Sequence, residues 1–255
     1  MAKLSVIAAG ISLTVMLAAC GQQFSSPTSQ VNPPTTTVTD EFIRNSIWTM
    51  SDDNIVEVNS QYQEFILINP SSSQIDRDAF LRGLIFEKSK GLKAQVFPSI
   101  PEALACAQVG IADCTQARVD SVTAVHTAPV IFYWQTAQDD NERNAFQHAF
   151  WNALMSKHIT AYFANQISYA HEKGSASFGT HSSNMDITNN NQGQRIGGPY
   201  YAGGFISDVT LASMVVSDMK VGRMVVLDRP TKSFSVNSST YINTWQPITK
   251  ITVVY

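Results

Sequence analysis

The sequence has no run of basic residues and no stripe in which basic and aromatic residues alternate. Only 15% of its residues are charged, and the formal net charge is −3. Proteins that bind nucleic acid concentrate positive charge on one surface, so a nucleic-acid partner is not expected. No internal repeat is visible either, which argues against a solenoid or a propeller. The 255 residues are 44% hydrophobic, which is enough for one sizeable core with appendages.

The sequence also lacks the best-known signatures of hydrolytic sites. It contains neither the Gly-x-Ser-x-Gly turn of serine hydrolases nor the His-Glu-x-x-His helix of metalloproteases. Its three cysteines are Cys20, Cys106 and Cys114, and we expect none of them to be a free thiol. A serine or cysteine nucleophile therefore has little support, and any hydrolytic chemistry must rest on other residues.

The first twenty residues have the pattern of an export signal. One early lysine, Lys3, precedes an apolar stretch that ends in Leu-Ala-Ala-Cys at 17–20. This ending resembles the lipobox of bacterial lipoproteins, which implies cleavage of residues 1–19 and attachment of lipid to Cys20. The alternative is an uncleaved transmembrane anchor, although the apolar run is short for a span. With two or more acyl chains on Cys20, the membrane anchor is stable.

Residues 20–40 are predicted to be a lipidated, flexible linker. They are rich in Ser, Thr, Pro and Gln and contain too few apolar side chains to form a core. Gly21 follows the cysteine, where inner-membrane lipoproteins of enteric bacteria carry aspartate. The resemblance therefore implies a lipid-anchored protein of the bacterial cell envelope at the outer membrane.

The other two cysteines are predicted to form a disulfide. An exported protein is in an oxidising compartment, where disulfides persist. On one continuous helix the two residues would lie roughly 12 Å apart, too far for a bond. We therefore predict a helix over 101–108, a turn at Gly110 and a helix over 114–126, stapled by Cys106–Cys114. Ser99 and Asp113 are the expected helix caps, as the first residues of possible capping boxes.

The remaining periodicity predicts a mainly α fold, a single helical bundle-like domain over 41–255 with minor β elements. Helical spacing of apolar residues indicates helices near 76–91, 139–158, 161–173 and 207–223. Residues 41–58 are predicted to form one short helix, 64–69 a strand or extended segment, and the tail a terminal strand or hairpin. The apolar run 128–134 fits either a strand or a buried helix. The glycines from Gly193 onward predict a loop.

The predicted helix that begins near residue 139 carries polar side chains among its aromatic residues. Asn144, His148, Trp151 and Asn152 follow one another at helical spacing, opposite a face of phenylalanines. Aromatic residues on nearly all sides indicate a central helix, so the polar stripe is expected to be buried. Buried polar groups of this kind form either a functional site or a hydrogen-bonded part of the core.

Three motifs in fixed order resemble a bacterial domain family with no established activity. They are NAFQHAFWNAL at 144–154, HE at 171–172 and MDITNNNQGQRIG at 185–197. The resemblance covers about 139–227, which we take as the motif-bearing core. One departure is Gln147, where the family pattern has arginine, so a ligand that needs this arginine is in doubt. The family occurs in secreted proteins and beside toxin-like modules, which suggests an effector-like role as a third hypothesis.

The motifs suggest two kinds of chemistry for His148, His171, Glu172 and Asp186. In the first, a divalent metal such as zinc binds His148, His171 and Asp186 and activates water. In the second, one histidine acts as a general base, oriented by Glu172 or Asp186, without a metal. Either chemistry suits hydrolysis of an envelope ester or amide.

Other polar residues of the motifs are predicted to bind substrate or to support the catalytic groups. The alternative is that the whole set forms a structural network in a non-catalytic lipoprotein that binds a protein or a cell-wall partner. Arg195 is expected either to hold an anion or to pair with Asp186. The supporting residues are Asn144, Trp151, Asn152, Asn189, Asn190 and Arg195.

Overall fold

The computed structural model describes residues 39–90, 100–135, 140–202, 204–228, 233–237 and 253–255. These residues all belong to one compact unit and are mainly helical, which confirms the predicted fold class. The predicted signal peptide, Cys20 and most of the linker lie outside the described residues. Within the described part of the chain, no helix is long and apolar enough to span a membrane.

The described residues contain nine α-helices and one pair of short strands. The helices are α1 (Asp40–Thr49), α2 (Asp52–Ile68), α3 (Gln74–Ser89), α4 (Ile100–Val109), α5 (Ile111–Ile131), α6 (Glu142–His158), α7 (Ala161–Gly174), α8 (His181–Gly197) and α9 (Asp208–Lys220). The strands are β1 (Val225–Asp228) and β2 (Ser233–Asn237), which pair antiparallel.

Most of these helices begin at a residue whose side chain accepts a backbone N–H from the first turn. Such a cap satisfies one of the donors that a helix leaves unpaired at its start. The caps are Thr39, Ser51, Ser73, Asn141, Thr160 and Ser207.

The first part of the domain differs from the prediction. The expected single helix over 41–58 is two helices, separated at Met50–Ser51, and the segment 64–69 is the end of α2 instead of a strand. Ile55, Val58 and Tyr62 are buried on one face of α2, at the spacing of a helix. Packing of that face against the core outweighs the local preference of Ile-Leu-Ile for extended backbone.

A disulfide joins α4 to α5, as predicted. Cys106 and Cys114 are bonded, and their Cα atoms are 5.3 Å apart because Gly110 turns the chain between the helices with a φ of 92°. The predicted cap at Asp113 is wrong, since α5 already begins at Ile111, and Ser99 lies outside the described residues. The ambiguous run 128–134 resolves as the end of α5, which continues through Pro129 to Ile131.

Helix α6 is the central helix of the domain, as its aromatic residues predict. Phe146, Phe150 and Leu154 are fully buried, and the helix packs against α5, α7, α8 and α9. Burial on all sides explains why polar side chains on this helix face other helices instead of solvent.

Helix α8 lies directly on the backbone of α6. A Cβ atom added at Gly193 would overlap the Ala149 carbonyl oxygen and lie 2.8 Å from its carbonyl carbon, and Gly197 meets Ala153 in the same way. The prediction that Gly193 starts a loop is therefore wrong. These glycines are helical, and their missing side chains allow the two helices to approach closely.

The helices α7 and α9 and the strands complete the described fold. Thr160 and Ser207 cap α7 and α9, and β1 pairs with β2 with Val225 opposite Asn237. These strands confirm minor β structure toward the C-terminal end. Of the rest of the predicted terminal strand or hairpin, 238–252 lies outside the described residues, and the described residues 253–255 are not in a strand.

Candidate functional site

Three helices each bring one ionisable side chain of the motifs to the same point. His148 from α6 lies between Glu172 from α7 and Asp186 from α8. Its Nδ1 atom is 3.3 Å from Glu172 Oε1, and its Nε2 atom is 3.5 Å from Asp186 Oδ1. We call these three residues the central cluster.

The central cluster is buried, and two of its atoms lack hydrogen bonds. The exposed fractions are 8% for His148, 2% for Glu172 and 9% for Asp186. His148 Nδ1 and Asp186 Oδ1 have no hydrogen-bond partner among the described residues. The contacts of His148 with Glu172 and Asp186, at 3.3 and 3.5 Å, are therefore ion pairs whose atoms are not aligned as in a hydrogen bond. Buried polar atoms left in this state are costly, which makes the cluster unusual for a simple piece of core.

The carboxylates favour the charged form of His148. Burial by itself lowers the pKa of this imidazole, but the negative charge of Asp186 and the close contact with Glu172 outweigh burial and raise the pKa to about 9. With no metal bound, the His148 ring is therefore a cation at neutral pH. This disfavours the predicted role of His148 as a metal-free general base, which requires a neutral ring.

The pKa of Asp186 is raised as well, but for a carboxyl group a raised pKa favours the neutral form. Burial raises the pKa of this carboxyl; the charge of His148 lowers it, the charges of Glu172 and Asp140 raise it, and the result is about 6. Asp140 is thus a further carboxylate near the cluster. It is buried and has a φ of 61°, an uncommon backbone conformation for aspartate.

A chain of hydrogen-bonded side-chain amides ends at Glu172 of the central cluster. Gln194 donates to Asn152 (2.9 Å), Asn152 donates to Asn190 (2.7 Å), and Asn190 donates to Glu172 (3.3 Å). Asn152 also donates to the carbonyl oxygen of His148 at 3.1 Å. Asn152 and Asn190 thus occupy the supporting positions predicted for them and hold α6, α7 and α8 in register.

A small cleft lies beside the cluster, and His148 is the cluster residue in its lining. Its volume is about 170 Å³, and His148 forms part of its wall. The indole of Trp151 also lines the cleft and donates from Nε1 to the Ala117 carbonyl oxygen at 3.0 Å, so the ring is fixed. The lining residues are Trp48, Ser121, Ala124, Val125, Gln147, His148, Trp151 and His171.

His171 borders the cleft but stands apart from the central cluster. Its ring centroid is 6.4 Å from that of His148, and its Nδ1 lies 2.7 Å from Glu102 Oε1. The side chain is 45% exposed. The predicted metal set of His148, His171 and Asp186 is therefore corrected, since Glu172 occupies the position expected for His171.

Two of the asparagines predicted to support the site, Asn144 and Asn189, form hydrogen bonds with backbone atoms and are not among the residues that line the cleft. Asn144 lies in the first turn of α6, where its Oδ1 accepts from Asp140 N at 3.3 Å. Asn189 forms two bonds with Val225, donating to its carbonyl oxygen at 2.8 Å and accepting from its N–H at 3.0 Å. Asn189 therefore docks β1 on α8.

Arg195 does not pair with Asp186, and that prediction is wrong. Its guanidinium donates to Gln192 at 3.3 Å. Residues three or four apart lie on the same face of a helix. Arg195 is nine residues after Asp186, so it lies on another side of α8. There it lines a second, larger cleft of about 400 Å³, together with Tyr200 and Arg223.

A second pair of histidine and carboxylate, of which only Asp120 is buried, lies at the end of α6. His158 Nδ1 is 2.8 Å from Asp120 Oδ1 on α5. Burial lowers the pKa of His158, but the attraction of Asp120 outweighs it, so the pKa lies above its ordinary value. His158 fits none of the motifs, so the sequence offered no signal for this pair.

The sequence also gave little signal for Gln194, Glu102 and Asp140 as parts of the site. Gln194 lies inside the third motif, and its position four residues after Asn190 was the available clue. Glu102 comes from α4, far from the motifs along the chain. Only the packing of α4 against α7 brings it to His171.

Comparison with known families agrees with the motif resemblance in part. A domain of unknown function, DUF6973, is found at residues 110–223. It spans somewhat under half of the chain, begins with α5 and contains all three motifs. No curated protein and no solved structure matches the chain. The DUF6973 domain thus contains the whole central cluster, whereas the lipobox lies outside it.

Proposed function

We propose that this protein is a lipid-anchored hydrolase of the bacterial cell envelope, which cleaves an ester or amide bond in the cleft beside His148. The observation that carries the proposal is the imidazole of His148, held between two buried carboxylates at the wall of that cleft. Ionisable groups with strongly perturbed pKa values in a cleft are typical of catalytic sites.

The chemistry requires a water molecule to lose a proton and attack a carbonyl carbon. His148 is the member of the cluster that lines the cleft, and as a cation it can donate a proton to the oxygen or nitrogen that leaves the carbonyl carbon. Glu172 and Asp186 hold the ring on both sides, and Asp186, a carboxylate with a pKa of about 6, accepts the proton of the attacking water and afterwards returns it to His148. The cluster thus combines a proton acceptor with a fixed imidazole.

The amide chain supports this role because catalytic groups must be held in a narrow range of positions. Asn190 donates to Glu172 and is itself fixed by Asn152. Such supporting hydrogen bonds restrict the orientation of the carboxylate before substrate arrives. The cleft residues Trp151 and Gln147 are in place to contact the substrate.

The proposed location follows from the lipobox resemblance at 17–20 and the polar linker over 20–40. A lipid on Cys20 would keep the domain within reach of membrane and cell wall. Phospholipid and peptidoglycan both contain ester or amide bonds at this location, so they are the substrates to test first.

The proposal is tested with His148→Gln, which keeps a polar side chain of similar length. We expect the variant to remain folded and to lose hydrolysis by a factor of at least about 100, the usual contribution of a catalytic acid or base. The assay compares the purified full chain with the variant on phospholipid vesicles, peptidoglycan fragments and fluorogenic esters and amides.

The matched control is His126→Gln, which changes a half-exposed histidine whose Nε2 lies 3.1 Å from Asp52. This control should retain full activity. Equal activity of the wild type and His148→Gln on a hydrolysed substrate would refute the assignment of the site.

The alternative is a non-catalytic lipoprotein in which the polar residues hold the helices together. It is favoured by one observation, the almost complete burial of Asn152 and Asn190 in the amide chain. In that case His148→Gln lowers the thermal midpoint strongly, and no substrate in the panel is hydrolysed by the wild type.

A further inference from the structure

We propose that His148, Glu172 and Asp186 bind one divalent metal ion, and that zinc is the ion that best fits these donors. Catalytic use of this ion rests on the proposed function, and there activation of the attacking water by the ion would replace proton transfer by His148 and Asp186. Binding of the ion does not rest on that function and is tested without any substrate. The three residues come from α6, α7 and α8, so the ion would join three helices.

The distances bring the three residues close to a metal geometry. Each residue offers one ligand atom, and these atoms lie within 4.8 Å of one another. Two ligands on one tetrahedral zinc lie about 3.3 Å apart, because each bond is about 2.0–2.2 Å long. Side-chain movements of up to about 1.5 Å therefore close the site around an ion.

The unpartnered atoms of the cluster are a second, independent observation that points to a ligand. His148 Nδ1 and Asp186 Oδ1 are buried and have no hydrogen-bond partner among the described residues. Both belong to side chains that face the centre of the cluster. A bound cation would be a directional partner for these atoms, which removes the cost of leaving polar atoms buried without a hydrogen bond.

The local charge also calls for a cation. Glu172 and Asp186 are both buried, and among the described residues neither forms an ion pair with lysine or arginine. A single imidazole cannot neutralise two carboxylates. A divalent ion can, and zinc accepts both imidazole nitrogen and carboxylate oxygen as ligands.

The surroundings resemble the outer shell of a metal site. Ligating carboxylates are usually hydrogen-bonded in turn, and Asn190 donates to Glu172 Oε1 at 3.3 Å. Asn152 fixes Asn190 through a bond of 2.7 Å. The chain of amides thus orients a ligand, and its members are not among the residues that line the cleft.

Three protein ligands leave a fourth position on tetrahedral zinc open. This is the arrangement of catalytic zinc sites, whereas structural sites use four protein ligands. Because His148 forms part of the wall of the 170 Å³ cleft, the open position would be reached from that side. His171 is not a ligand in this proposal, since it does not belong to the group of ligand atoms that lie within 4.8 Å of one another.

The experiment uses the full chain, purified in detergent and stripped of metal with a chelator. Zinc is then added, and bound metal is measured by equilibrium dialysis with elemental analysis, alongside the thermal midpoint. We expect one zinc per chain and a higher midpoint with zinc. Asp186→Asn, which keeps the shape but removes the charge, should weaken zinc binding more than about tenfold.

Two control variants show where the ion binds. His126→Gln and His171→Gln remove histidines that also lie beside a carboxylate, Asp52 and Glu102, but outside the cluster. Both should bind zinc as the wild type does. Circular dichroism of Asp186→Asn in the absence of metal shows whether that variant is folded, and Glu172→Gln serves as the second ligand variant.

Several outcomes would overturn the proposal. They are less than stoichiometric zinc on the folded wild type, zinc affinity unchanged in both folded ligand variants, and loss of zinc in His171→Gln alone. Hydrolysis by the metal-free chain would refute catalytic use of the ion and leave the proposed function standing. Zinc binding without hydrolysis of any substrate would leave the metal site standing and count against the enzyme.

Discussion

The contact between α6 and α8 gives the most quantitative prediction, through the substitution Gly193→Ala. The new methyl group would overlap the backbone carbonyl of Ala149, whose carbon atom would be only 2.8 Å away. A backbone group inside a helix cannot rotate aside as a side chain does. The two helices must therefore separate by roughly 1 Å at this point, in a densely packed interior.

The size of the effect follows from two opposing terms. Overpacking of a core costs about 1–3 kcal/mol and occasionally more, and an overlap with backbone belongs at the upper end. Alanine is favoured over glycine in a helix by about 1 kcal/mol, which offsets part of that cost. We expect a net loss of about 2 kcal/mol in the free energy of unfolding. For a domain of this size, that corresponds to a lower thermal midpoint by about 4–8 °C.

The assay is urea unfolding followed by circular dichroism, with Gly83→Ala as the matched control. Gly83 lies inside α3, and a Cβ atom added there has no atom within 4 Å. The control should therefore gain about 0.4–1 kcal/mol, since alanine restricts the unfolded chain and favours the helix. The two substitutions are chemically identical and are expected to have opposite signs.

A Gly193→Ala variant as stable as Gly83→Ala would refute the close approach of α6 and α8. A loss in both variants would instead show that glycine is needed for a reason other than helix packing. Because the same helix pair carries His148 and Asp186, we also expect Gly193→Ala to weaken zinc binding.

Three further predictions concern other parts of the chain. Asp120 raises the pKa of His158 in the folded protein. The stability that this pair contributes is therefore complete below about pH 6.5, the pKa of an unfolded histidine, and is lost as the pH rises through the pKa of His158 in the folded protein. The unfolding free energy of His158→Gln should differ from that of the wild type more at about pH 6 than at about pH 9. Replacement of both Cys106 and Cys114 by alanine removes a bond with a sequence separation of 8 and should cost about 2–3 kcal/mol in urea unfolding. Finally, Cys20→Ala should abolish labelling of the protein in cells fed a fatty-acid probe.

Each of these predictions has an outcome that contradicts it. A pH-independent difference between His158→Gln and the wild type would mean that the pair with Asp120 does not change the titration. Equal stability with and without the Cys106–Cys114 bond would mean that the corner between α4 and α5 does not depend on it. Unchanged fatty-acid labelling of Cys20→Ala would rule out the lipobox.

Much of the fold could be predicted from the sequence because helix signals are local. The caps Thr160 and Ser207, the turn at Gly110 and the aromatic faces of α6 depend on residues a few positions apart, so periodicity and capping rules find them. The strand predicted at 64–69 failed because burial of one face of α2, a non-local effect, overrode the local preference.

The sequence predicted which residues form the candidate site better than it predicted how those residues are arranged. The motifs contain His148, Glu172 and Asp186, and the first two lie on predicted helices. They could not say which of Glu172 and His171 faces His148, because neighbouring residues on a helix point about 100° apart and the rotation of α7 depends on packing. In the structure α7 turns Glu172 inward and leaves His171 at the cleft with Glu102.

By itself, the sequence determined the helical class, the disulfide corner, the central helix and the set of ionisable residues in the motifs. These depend on spacing along the chain, which the sequence states directly. Only the tertiary structure decided that Gly193 is a packing position, that Arg195 lies away from Asp186, and that one imidazole stands between two buried carboxylates. The physical reason is that these facts depend on how helices rotate and approach one another, and that is set by contacts between residues far apart in the chain.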